Sequence, residues 1–267
     1  MAKDNNIQDF LTDVADAIRE KKGTTDKINP QDFSSEIASI QSGNRDWSEI
    51  GYDAEPTFIE EGFAYAKEIK DNWNPNVSSI KNKFRNDTKI VYFPLVGTSN
   101  IQDFSNAFYM STLEYIPQLN YGKATNLSNY LYYCGKLREV SLKGTSNVTS
   151  YNTTFNSCTQ LKIIYEMDFF SVTDGYGVFY NCKALLFVKI LNLGKSTLTT
   201  YDFSGATSWG TGGEENRQSL IDSLITYSYD RASDGMPTAT IKLSANTKAL
   251  LTEEEIAQIT AKGFTIA

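Results

Sequence analysis

Between residues 79 and 204 the hydrophobic positions return with a period of 23 or 24 residues. The pattern is clearest around Cys134, Cys158 and Cys182, each 24 residues from the next. Leu131-Tyr-Tyr-Cys134-Gly-Lys-Leu137-Arg-Glu-Val140 is followed by Phe155-Asn-Ser-Cys158-Thr-Gln-Leu161-Lys-Ile-Ile164 and then by Phe179-Tyr-Asn-Cys182-Lys-Ala-Leu185-Leu-Phe-Val188. Upstream the template weakens but persists through Phe108, Ser111, Leu113 and Ile116, and through Phe84, Asp87, Ile90 and Phe93. A second apolar set follows later in each unit: Ile101, Leu127, Val148, Val172 and Leu198. Units this short cannot each enclose a core. They can stack as coils, each giving one short strand whose alternate residues point inward, so that equivalent side chains form continuous columns. The spacing predicts about five coils, with parallel strands near Tyr92, Tyr115, Glu139, Ile163 and Phe187.

The flanks follow a helical period. Ile7, Phe10, Leu11, Val14 and Ile18 share one face of a helix that stops near Gly23, and Asn29-Pro30 opens a second carrying Phe33, Ile37 and Ile40. Residues 1–43 are therefore expected to be a helical hairpin. Such a hairpin has too little core to hide Phe10, Val14, Ile18, Phe33, Ile37 and Ile40 by itself. These six are the candidate assembly residues. They would be covered by homo-oligomerisation (most simply a trimer), by another protein, or by the chain's own repeats. Residues 44–78 are predicted to hold a linker, 44–56, and a capping helix over 57–71 with Ile59, Phe63, Ala66 and Ile69. The repeats occupy 79–204. After Tyr201 the pattern is expected to break, leaving 205–267 as an α/β cap. That cap has a glycine-rich loop, a helix over 215–228, a strand through Ala239, Ile241 and Leu243, and a last helix. The last helix opens on the capping box Thr252-x-x-Glu255 and stops at Gly263.

A period of roughly 20–29 residues with L-x-x-L-x-L is the leucine-rich repeat signature, read here as Leu137-x-x-Val140-x-Leu142. The Phe-x-x-Cys-x-x-Leu-x-x-Ile spacing resembles the BspA-like leucine-rich repeats of bacterial surface proteins and gut bacteriophages. The stretch Val14–Ile40 resembles an N-terminal module of phage and prophage structural proteins, and Leu251–Ile266 resembles the closing segment of such repeat proteins. The resemblance implies a mainly β fold with helices: a leucine-rich repeat solenoid flanked by an N-terminal helical hairpin and α/β caps. It further implies a structural or appendage protein of the virion of a tailed gut phage, the crAss-like kind among them. Its partners would be other virion proteins or a host surface. The alternative is a leucine-rich repeat adhesin of a bacterial cell surface.

Composition narrows the chemistry. The formal net charge is −7, which argues against nucleic acid and anionic membranes as partners. Histidine is absent, so Ser-His-Asp and Cys-His catalysis are excluded. No catalytic motif is present, and the chain is expected not to be an enzyme and to need no cofactor or metal. Gly210-Thr-Gly-Gly213 lacks the Lys-Ser/Thr of a phosphate loop, and Asp230 and Asp234 lack the spacing of a calcium loop. The cysteines share one slot in three successive coils. They read as buried small side chains, with disulfide pairing or metal binding as the alternative. Met1–Asp9 is polar, without the apolar segment of an export signal, and no run approaches the roughly 20 apolar residues of a membrane span. Synthesis in the host cytoplasm and delivery in a virion is the expectation. Aromatic residues reach 13%, and in the strands they recur between the inward positions. Tyr92, Tyr115, Glu139, Ile163 and Phe187, with Tyr165 from the next column, are therefore predicted to form an open binding face.

Overall fold

The computed structural model describes residues 65–66, 68–94 and 96–267. The expectations for the hairpin 1–43, the linker 44–56 and the start of the helix 57–71 lie outside the described residues. Within 65–71 the described residues are helical, with Ala66 and Ile69 buried and the Tyr65 hydroxyl donating to Asp87 Oδ2 at 2.7 Å.

Parallel pairings join residues one period apart. On one side of each unit Ser79 pairs with Asp103, Asp103 with Asn126, Asn126 with Ser150, and Ser150 with Asp174; on another, Tyr92 pairs with Tyr115. Strands β1 (Glu139–Val140), β2 (Ile163–Asp168) and β3 (Phe187–Leu191) form a parallel sheet in that order, with Glu139 opposite Ile163 and Ile163 opposite Phe187. The columns of the sequence are thereby columns in space. Phe84, Phe108, Leu131, Phe155 and Phe179 are all buried, as are Phe93, Ile116, Val140, Ile164 and Val188.

The stacking also runs through the turns. Each unit opens on a residue whose side chain accepts the N–H two residues on. These are Ser79 to Lys81, Asp103 to Ser105, Asn126 to Ser128, Ser150 to Asn152 and Asp174 to Tyr176, the local bond that makes Ser, Asn and Asp turn formers. Two left-handed residues four apart then follow in each unit: Asn82 and Asn86, Asn106 and Met110, Asn129 and Tyr133, Thr153 and Ser157, Gly177 and Asn181. This geometry sends alternate amides along the stack. Asn82, Phe84 and Asn86 donate to Ser105, Ala107 and Tyr109 of the next unit, while Lys83, Arg85 and Asp87 close back on Ile80, Asn82 and Phe84. The turn backbone is thus hydrogen-bonded between units as a sheet is, which a closely packed backbone requires.

Cys134, Cys158 and Cys182 are free and buried. They have a polar role besides filling space. Each thiol donates to the carbonyl oxygen of the leading residue one coil back: Phe108 at 3.1 Å, Leu131 at 3.0 Å and Phe155 at 2.9 Å. Burial pushes the Cys134 and Cys182 thiols up to about 12 and raises Cys158 as well. The thiolate is the reactive form, so alkylation at neutral pH should be slow for all three until denaturant is added. Rapid labelling of native protein would contradict this burial. Cys158→Ser should cost about 1 kcal/mol, because Leu131 O can accept from a hydroxyl; an unpartnered buried hydroxyl would cost about 1–3 kcal/mol.

The repeat does not break after Tyr201. Phe203, Ala206 and Trp209 continue the columns of Phe179, Cys182 and Leu185 and are buried. Ala206 and Trp209 donate to Phe203 and Ala206, as Cys182 and Leu185 donate to Phe179 and Cys182. The pattern hid here because alanine and tryptophan replace cysteine and leucine. Beyond it, β4 (Thr200–Asp202), β5 (Ala239–Lys242) and β6 (Phe264–Ile266) form a second parallel sheet in that order.

The single helix expected over 215–228 is two elements, α1 (Glu214–Ile221) and a π-helical turn (Asp222–Thr226). The wider turn carries Ser223, whose hydroxyl accepts from Ile190 N at 2.9 Å and shares its proton between Ser219 O at 2.7 Å and Val188 O at 3.1 Å. It thereby occupies polar groups of β3 that face away from β2, which an edge strand otherwise leaves open. Helix α2 (Ala245–Lys248) is capped by Ser244. Helix α3 (Glu253–Ala261) has the full Thr252–Glu255 capping box, and Glu255 also binds Arg217 of α1 at 2.7 Å. Arg231 is fully buried and donates to Gly194 O, Ser196 O and Pro237 O.

Candidate functional site

The predicted strand column is held in register but is not an open aromatic face. Tyr92 and Tyr115 stack with centroids 5.1 Å apart and planes 3° from parallel. Both are half-buried, as are Ile163 and Phe187. Glu139 departs most from expectation, being only 6% exposed. The register of β2 against β3 shifts between Ile164 and Met167, and Tyr165 on this irregularity reaches back one coil to donate to Glu139 Oε2 at 3.1 Å. Of the six candidates Tyr165 alone is well exposed, at 49%. Tyr115, Glu139 and Tyr165 with Ile116, Val140 and Ser141 line a cavity of about 260 Å³. Beside it Glu114, also buried, is paired with Lys136 at 3.0 Å. The proposed protein-contact face is therefore a partly closed aromatic–acidic notch.

A second surface was missed. It lies on the turns, in the column one residue after each leading position: Arg85, Tyr109, Tyr132, Asn156 and Tyr180. The Arg85 guanidinium lies 4.3 Å from the Tyr109 ring centroid. Tyr109 stacks on Tyr132 at 4.7 Å and 7°, and Tyr132 lies 6.4 Å from Tyr133. Tyr176 and Tyr180 stand exposed further along the same turns. The signal was present in the sequence, as a tyrosine-rich column at the same period. Which columns point outward depends on the left-handed turn geometry, and hydrophobic spacing does not reveal that.

The other candidates resolve into structure. Asp230 accepts Ser233 N and Oγ, and Asp234 accepts from the Tyr229 hydroxyl. Among the described residues no group of three or more acids or cysteines could hold a metal ion. The loop 210–213 leads into α1, whose first turn carries Glu214 and Glu215; two carboxylates at a helix N-terminus oppose anion binding. The candidate assembly residues Phe10, Val14, Ile18, Phe33, Ile37 and Ile40 lie outside the described residues. Among the described residues no helix is long and apolar enough to cross a membrane. Compared with protein-family models, curated proteins and solved structures, the chain returns no match.

Proposed function

We propose that this chain is a BspA-like leucine-rich repeat solenoid acting by contact rather than by catalysis, as a structural or appendage protein of a phage particle. The observation that carries this reading is the parallel ladder from Ser79 to Asp174, which sets residues 23 or 24 apart side by side. A repeat of that kind builds broad surfaces from equivalent positions, and such surfaces serve binding. The stacked tyrosines on the strands and on the turns support a role in recognition, since rigid rings give large contact area at low entropic cost.

In this reading residues 1–43 attach the protein, through its own trimer or to another virion protein, and the repeats meet a further virion protein or the host. Mass spectrometry of purified phage particles and of a bacterial envelope fraction tests it. The protein should be recovered with particles; recovery only in the envelope would favour a cell-surface adhesin. Deleting 1–43 should leave a folded repeat body that no longer joins particles. Normal incorporation of the shortened chain would move attachment to the repeats.

A further inference from the structure

Past its first unit the turn surface is free of charge. Residues 104–113, 127–135, 151–161 and 175–182 contain no Asp, Glu, Lys or Arg, in a chain that is 21% charged. The carboxylates at its margin, Asp103 and Asp174, are turned onto the Ser105 and Tyr176 amides. What the surface offers instead is hydroxyls, amides and rings. The phenols of Tyr109, Tyr132, Tyr133, Tyr176 and Tyr180 take no hydrogen bond among the described residues. Those of Tyr65, Tyr121, Tyr130, Tyr151, Tyr165 and Tyr201 are all bonded.

Two of the exposed side chains are costly where they sit. Tyr133 has φ 60° and Met110 φ 54°, a region where asparagine or glycine is tolerated and a bulky residue is strained. At the same places in other units stand Asn86, Ser157 and Asn181. Tyr133 is 56% exposed and Met110 46%, so neither recovers that cost by burial in the fold. Strain kept at an exposed position points to a contact made with something else.

We propose that this turn surface binds a neutral polysaccharide lying along the stack. A phenol both donates and accepts hydrogen bonds, as a sugar hydroxyl does, and the exposed rings of Tyr133, Tyr176 and Tyr180 can take the C–H face of a pyranose. A neutral chain requires no ion to be desolvated, whereas an acidic glycan would find its cations at one end of the ridge, on Lys81, Lys83 and Arg85 of the first unit. Tyrosine-rich surfaces also suit proteins, but a protein partner brings charged groups to the rim of its contact, and over four successive units this strip carries no charge to meet them.

The test is affinity electrophoresis of the full chain in gels containing dextran, laminarin or galactomannan, with polygalacturonate as the acidic arm. At least one neutral glycan should retard the protein. Tyr133→Asn should weaken that retardation about 2- to 10-fold, the worth of one aromatic contact, while raising Tm by relieving the left-handed strain. Tyr180→Ser should weaken it with Tm unchanged. Retardation by polygalacturonate alone, or by none of the four, would overturn the proposal. So would oligomers that Tyr133→Asn and Tyr180→Ser dissolve in the absence of glycan, which would give the ridge to a second copy of the chain.

Discussion

Replacing Arg231 with alanine is expected to cost about 3 kcal/mol or more, because it leaves three carbonyls without their donor and each unsatisfied group costs about 1–3 kcal/mol. The guanidinium is fully buried and reaches three carbonyl oxygens at 2.7–2.9 Å. Two of these, on Gly194 and Ser196, belong to the segment between β3 and β4; the third, on Pro237, precedes β5. The side chain therefore joins the end of the first sheet to the start of the second. Alanine leaves a cavity and strips a donor from each carbonyl, and a buried group left unsatisfied costs about 1–3 kcal/mol. Arg231→Lys should recover little, because a point charge on one nitrogen cannot reproduce a planar fork. Urea unfolding of both variants measures the effect. A loss below 1 kcal/mol for Arg231→Ala would show that the carbonyls find other donors.

Gly205→Ala should be the other severe substitution. A Cβ there would lie 2.3 Å from Phe179 O and 2.7 Å from Tyr180 Cα. Both are backbone atoms of the preceding coil, so no side-chain rotation relieves the clash and the two coils must part. Overpacking typically costs about 1–3 kcal/mol, and a backbone collision belongs at or above the top of that range. Gly135→Ala is the control: its nearest neighbour would be Thr159 Oγ1 at 3.7 Å, and the change should stay within about 0.5 kcal/mol. Equal Tm values for the two variants would refute the close approach at Gly205.

The two substitutions differ in how far the sequence announces them. Gly205 stands two residues after Phe203, at the column of Asn181 and Ser157, and becomes informative once Phe203, Ala206 and Trp209 are recognised as a continued unit. Arg231 carries no such mark. Its partners are backbone carbonyls, two of them 35 and 37 residues away, and a carbonyl leaves no trace in a side-chain pattern. The same holds for Ser223, an ordinary serine in a helical stretch until β3 is seen beside it.

From the sequence alone came the period, the inward columns, the buried cysteine slot and the Thr252–Glu255 capping box. Each of these rests on a repeat or a short-range bond, and both are visible along the chain. The tertiary structure decided which faces reach solvent. Glu139 and Tyr165 were assigned to one open surface, yet the irregularity in β2 lets Tyr165 reach back to Glu139 and leaves Glu139 buried. The turn tyrosines stood in a column of the right period, yet only the paired left-handed residues turn them outward. It also decided how the stack continues, since β5 pairs with β4 at Thr240–Thr200 and with β6 at Thr240–Thr265. Those offsets of 40 and 25 residues depart from the earlier step because helices replace the turns in the returning segments. Periodicity determines which residues share a column; only packing between neighbouring elements determines where that column points.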